Sequence, residues 1–136
     1  MKAKPKILLV DDDKLLRNVL HRVLAHAGYD VILAGNGREA LAQYKASLPD
    51  IVLTDIIMPD KEGLETITEL RRHNPTAKII AMSGGGLMDP GSYLAVARKL
   101  GVTATLAKPF GHQEMLGILE SLLTPAGVSQ ADMTCA

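Results

Sequence analysis

Five short apolar runs, each followed by a stretch that reads as a helix, predict an α/β domain: a doubly wound, five-stranded parallel sheet with helices on both faces. Parallel neighbours need a crossover, and here the crossovers read as helices. The third run, Ile51 to Leu53, is the pivot. It lies between Pro49 and Met58-Pro59, reads as a strand buried on both faces, and delivers Asp55 at its C-terminal end. In an open parallel sheet that end borders the ligand crevice.

The first run, Ile7 to Val10, leads into Asp11, Asp12 and Asp13. Leu16, Val19, Leu20, Val23, Leu24 and Ala27 then recur at helical spacing, with Asp13 as candidate cap and Gly28 as the stop. Val31 to Leu33 is the second strand. Asn36 followed by Glu39 resembles a capping box for a helix carrying Ala40, Leu41 and Tyr44. After the Asp55 strand, Leu64, Ile67 and Leu70 mark a third helix, which Asn74-Pro75 ends. Lys78 to Met82 forms the fourth strand and delivers Ser83, followed by Gly84, Gly85 and Gly86 in a loop expected to be mobile. Asp89-Pro90 opens a fourth helix that Gly101 closes. Thr103 to Ala107 is the fifth strand, leading to Lys108-Pro109. Met115, Leu116, Ile118, Leu119, Leu122 and Leu123 mark the last helix.

With 136 residues, 47% of them hydrophobic, the chain suits one domain over residues 1–124 and an irregular tail over 125–136. Fifteen basic residues balance fifteen acidic ones, which predicts neither nucleic-acid nor membrane binding. The run at Ile7 to Val10 is too short for a signal-peptide core, and the lone Cys135 builds no disulfide. The cytoplasm is the expected compartment.

Four strand ends carry distinctive polar groups: acids after the first and third, a hydroxyl after the fourth, an ammonium after the fifth. Taken singly, Asp13 is explained as a helix cap, Ser83 as a turn residue and Lys108 as a solvated lysine. Together they meet in one crevice. Clustered carboxylates require a compensating cation, and hard oxygen ligands with room for water suit Mg²⁺. A carboxylate can then act as nucleophile toward a phosphoryl group whose oxygens meet Mg²⁺, Lys108 and Ser83.

The stretches LLVDDD, LTDIIMPDKEG, MSG and AKPF, in this order and on these elements, resemble the receiver domain of two-component response regulators over roughly Lys6 to Leu123. The resemblance implies a flavodoxin-like sheet in the order 2-1-3-4-5. It implies that Asp55 accepts a phosphoryl group from a histidine kinase or histidine phosphotransfer protein, without the chain being an enzyme in the ordinary sense. Asp12 and Asp55 would ligate Mg²⁺ directly, Asp11 through a water, and the carbonyl of Ile57 would be a further ligand. Ser83 and Lys108 would hold phosphoryl oxygens, and the bond before Pro109 would be cis. Two departures concern the output. Thr105 stands where the family usually has an aromatic switch residue, and the interval from Ser83 to Lys108 is lengthened within GGGLMDPGS, which makes Gly84 to Gly86 part of an unusual switch loop. Nothing after Leu123 reads as an output domain, so a stand-alone receiver acting on an unidentified downstream protein is expected.

Competing readings are a receiver-like module that signals by contact without phosphorylation, a small phosphatase with an aspartate nucleophile, and a flavin-binding protein of similar topology. The first conflicts with the presence of every phosphorylation residue. The second would use Asp11 and Asp13, but Leu15 stands where that superfamily has threonine or valine. The acidic triplet repels the phosphate that the third would cradle.

In the resembled family, positions two beyond the aspartate and two beyond the hydroxyl residue orient the water that hydrolyses the aspartyl phosphate. Here they are Ile57 and Gly85, neither of which offers a side-chain hydrogen bond, so slow self-dephosphorylation is expected. Ile57→Asn and Gly85→Glu should each speed phosphate release from the phosphorylated chain. Release at the parent's rate from both would show that water positioning does not set the lifetime.

Overall fold

The computed structural model describes residues 4–56, 63–83, 95, 98–99 and 101–123. Ile57, the glycines at 84–86, most of the expected fourth helix and the tail lie outside the described residues.

Five strands, β1 (Lys6–Val10), β2 (Asp30–Ala34), β3 (Ile51–Asp55), β4 (Ile79–Ser83) and β5 (Ala104–Ala107), pair in parallel in the order β2-β1-β3-β4-β5. The described helices are α1 (Lys14–His26), α2 (Gly37–Ser47), α3 (Gly63–His73) and α4 (His112–Leu123), the last being the helix that the sequence places at the end. The doubly wound class and the strand order are as expected.

Successive residues of a strand face opposite sides of the sheet, so a strand covered on both faces must be apolar throughout. β1, β3 and β4 meet this condition along Ile7 to Val10, Ile51 to Leu53 and Ile79 to Met82, before their polar ends. Leu8, Val10, Val52, Ile79 and Ala81 pack on one side with Ala40 and Tyr44 of α2 and Ile67 and Leu70 of α3. Ile7, Leu9, Ile51, Leu53, Ile80 and Met82 pack on the other with Leu20 and Leu24 of α1 and Met115 and Leu119 of α4. The alternation therefore welds two cores to one sheet.

Local signals end the helices where expected. The Asp13 carboxylate accepts hydrogen bonds from the backbone N–H groups of Leu15 (3.1 Å) and Leu16 (3.2 Å), capping α1. Asn36 accepts from Glu39 N–H at 2.9 Å, while the Glu39 carboxylate reaches past it to Gly35 N–H at 2.7 Å. Gly28, at φ +102°, turns the chain out of α1, a conformation that a side chain resists. Three details differ from the sequence reading. Val19 is 45% exposed, so the buried stripe of α1 is narrower than its apolar stripe. β3 extends to include its polar end, Asp55, and β4 is shifted by one residue, starting at Ile79 and including Ser83. β5 starts one residue late, at Ala104, with Thr103 bonded through its N–H and hydroxyl to the backbone of Ile79.

α2 ends on Leu48, which is left-handed (φ 49°) and 69% exposed. Such a conformation costs a branched side chain about 1 kcal/mol, and asparagine tolerates it better. Leu48→Asn should raise the unfolding free energy by about 0.5–1 kcal/mol. Urea denaturation checks it; equal or lower stability would show that the leucine contributes packing worth more than the strain.

Candidate functional site

The site is assembled by register. Val10 pairs with Thr54 and Asp55 with Met82, so Asp11 emerges level with Asp55 while Ser83 stands one residue further along. Ser83 pairs with Ala107, so Lys108 emerges one residue beyond that. Lys108 N–H donates to the Ser83 carbonyl at 2.7 Å, continuing the ladder past the end of β5. Continuing the alternation from Leu9 and Leu53 places Asp11 and Asp55 on the sheet face that α1 and α4 cover.

Lys108 closes the arrangement. Its Nζ donates to Asp11 Oδ2 at 3.0 Å and to Asp55 Oδ2 at 3.1 Å. Asp11 is fully buried and Asp55 is 7% exposed, whereas Asp12 is exposed. Burial works to lower the Lys108 pKa, but the neighbouring Asp55 and Asp11 carboxylates outweigh it and leave the pKa raised. The other Asp11 oxygen, Oδ1, accepts from Asp13 N–H at 2.9 Å. One carboxylate oxygen from each of Asp11, Asp12 and Asp55 lies within 4.8 Å of the others. Three hard oxygen donors, one of them open to solvent, fit a divalent cation that keeps some of its water. Asp13 has no place in this group, since its carboxylate caps α1. The Asp11 and Asp13 pair required of a phosphatase is thereby lost.

Ser83 is fully buried at the end of β4, and its Oγ has no hydrogen-bond partner among the described residues. A buried hydroxyl without a partner is uncommon and leaves a donor available. Thr105 is half-buried on β5, level with Ala81, and its Oγ1 accepts from Arg98 Nη2 at 3.4 Å. Ile57 and the glycines at 84–86 lie outside the described residues. The peptide bond between Lys108 and Pro109 is cis.

Sequence reasoning located the strand-end residues but missed two contacts. It left Lys108 without a protein partner. It also overlooked Arg17, whose Nη1 donates to the backbone carbonyl of Asp11 at 2.7 Å. No residue-type pattern signals a side chain bound to a main-chain carbonyl; only its place on α1, just beyond the acids, hints at it.

An acidic crevice at the carboxyl edge of a doubly wound sheet, with a lysine from just beyond the last strand reaching into it, defines a receiver-type signalling domain. The chain belongs to the response regulator receiver domain family, which matches residues 7–120. It is 40% identical over 118 residues to the chemotaxis protein CheY of Thermotoga maritima, covering 86% of this chain and 96% of that one. It is 34% identical over 129 residues to the transcriptional regulatory protein CpxR of Klebsiella pneumoniae, covering 95% of this chain but 53% of that one. The chain thus spans about half the length of that relative. Among solved structures, the chemotaxis protein CheY4 of Vibrio cholerae superposes with a TM-score of 0.79 at 30% identity, over 89% of this chain and all of the other. A CheY-like receiver domain protein from Methanospirillum hungatei gives 0.78 at 28% identity, over 88% of this chain and 94% of that one.

Removing Lys108 would leave two carboxylates in the crevice without their cation. With a chelator present, Lys108→Met should lose about 3 kcal/mol of stability. Because the folded-state pKa of Lys108 is raised, its contribution is complete below the unfolded-state value of about 10.4 and is lost as pH rises through the folded value. The variant should therefore lack that part of the parent's alkaline decline. Parental stability and an unchanged alkaline limb would show that desolvation cancels the pairing.

Proposed function

We propose that this receiver domain accepts a phosphoryl group on Asp55 in a Mg²⁺-dependent reaction. The supporting observation is the nearly buried Asp55 carboxylate, held by Lys108 beside Asp11 and within 4.8 Å of oxygens from two further acids. The donor is a histidine kinase or a histidine phosphotransfer protein, and the output passes to a protein partner by contact or by onward transfer. The cytoplasm fits this role; among the described residues no helix is long and apolar enough to cross a membrane.

Asp55 supplies the nucleophilic oxygen. Lys108 fixes the other side of the reaction centre, and its ammonium is placed to follow negative charge as it develops on the phosphoryl oxygens. Ser83 offers to one of those oxygens a hydroxyl that has no hydrogen-bond partner among the described residues. Asp12 and Asp55 would hold Mg²⁺ directly and Asp11 through a water, with the Ile57 carbonyl completing the set. Bound there, Mg²⁺ would neutralise charge that otherwise repels the phosphodonor. The phosphorus–histidine bond breaks as the phosphorus–oxygen bond to Asp55 forms, and the imidazole leaves.

Acetyl phosphate with Mg²⁺ should add one phosphoryl group, seen by intact mass, and Asp55→Asn or a chelator should abolish it. Equal labelling in either control would refute the assignment.

A further inference from the structure

A half-buried cationic group that the proposed reaction leaves unused is Arg17. Its Nη1 donates to the Asp11 carbonyl at 2.7 Å, and its Nε is buried without a hydrogen-bond partner among the described residues. The guanidinium also lies under the turn between β2 and α2: a Cβ added at Gly35 would sit 3.0 Å from Nη1 and 3.5 Å from Glu39 Oε1. Glu39 Oε1 is itself committed to Gly35 N–H at 2.7 Å, so this turn is braced around the arginine. The lack of a side chain at Gly35 is what admits the guanidinium.

The carbonyl that Arg17 holds belongs to the peptide unit joining Asp11 to Asp12. That unit is planar, so fixing its oxygen fixes the direction in which the chain enters Asp12. On the far side of Asp12, Asp13 is held by its N–H on Asp11 Oδ1 and by its cap on α1. Asp12 is exposed, and no hydrogen bond of its carboxylate is seen among the described residues, so its aim depends on its backbone.

We propose that Arg17 is the positioning residue for Asp12: by holding the peptide between Asp11 and Asp12 it aims the exposed carboxylate at the cation site. This inference rests on the Mg²⁺ reading above. Two opposing effects must be separated, because a nearby guanidinium repels a cation while the positioning it provides favours binding. Arg17→Lys keeps the charge and loses the reach and planarity of the fork, so it isolates the positioning.

Calorimetric titration with Mg²⁺ tests this. Arg17→Lys should bind about tenfold more weakly than the parent, the scale of lost ligand orientation around metal sites. In an Asp12→Ala background the same change should weaken binding less than about twofold, because its target is gone; a merely structural loss would add in full. Parental affinity in Arg17→Lys, or an undiminished effect without Asp12, would overturn the inference. If Arg17→Lys does not fold, Gly35→Ala takes its place, since it crowds Nη1 with Arg17 retained. Weakened Mg²⁺ binding supports the proposal, and parental affinity overturns it. A parent that takes up no Mg²⁺ overturns the Mg²⁺ reading itself, and this inference with it.

Discussion

One ammonium group holds the crevice together. Asp11 and Asp55 lie side by side with almost no access to water, and burying two carboxylates in that way is untenable without a cation between them. Lys108 provides it from just past the end of β5, two strands away from β3. Its reach depends on β5 pairing with β4 so that Ala107 meets Ser83. A slip by one residue would turn Lys108 to the opposite face and Leu106 out of the core it shares with Leu9 and Leu53. The apolar alternation that fills the two cores and the charge balance of the site are therefore one constraint.

The same constraint explains which features were legible in the sequence. β1, β3 and β4 are covered on both faces, so each must be a continuous apolar run, and each stood out as one. Caps were readable because Asp13, Asn36 and Gly28 act on backbone within a few residues of themselves. The exposure of Val19 was not, since spacing reports the apolar stripe of a helix but not how much of it a neighbour covers. At the site, strand ends could be placed without knowing the register. The Lys108 bridge could not, because it spans 97 residues to Asp11 and 53 to Asp55 and exists only once the register is set. Arg17 was hidden for another reason: its partner is a carbonyl that every residue carries.

Thr105 bears on the output end. It faces Arg98 through a contact of 3.4 Å, at the long limit of a hydrogen bond and on an exposed arginine. Such a contact is worth little and holds β5 loosely to the segment carrying Arg98. A threonine also lacks the area with which an aromatic ring would favour a buried over an exposed position. Under the proposed phosphoryl transfer, a change transmitted from the crevice would depend more on β4, where Ser83 is wholly buried, than on a side chain swinging at position 105.

Within the proposed reaction, Ser83 and Lys108 stand in unequal positions before any phosphoryl group arrives. Lys108 already donates to two carboxylates, so a bond to a phosphoryl oxygen must replace part of what it has, and the net gain is the difference between two charge-assisted bonds. Ser83 gives up no bond to any described residue. Its hydroxyl is buried and without a hydrogen-bond partner among the described residues, so its desolvation has already been met in the resting fold. A new bond to a charged oxygen is then worth roughly 1.5–3 kcal/mol with little to subtract. The larger share of the driving force for rearrangement consequently lies at the end of β4. The lysine serves mainly to keep the crevice folded while the charge within it changes.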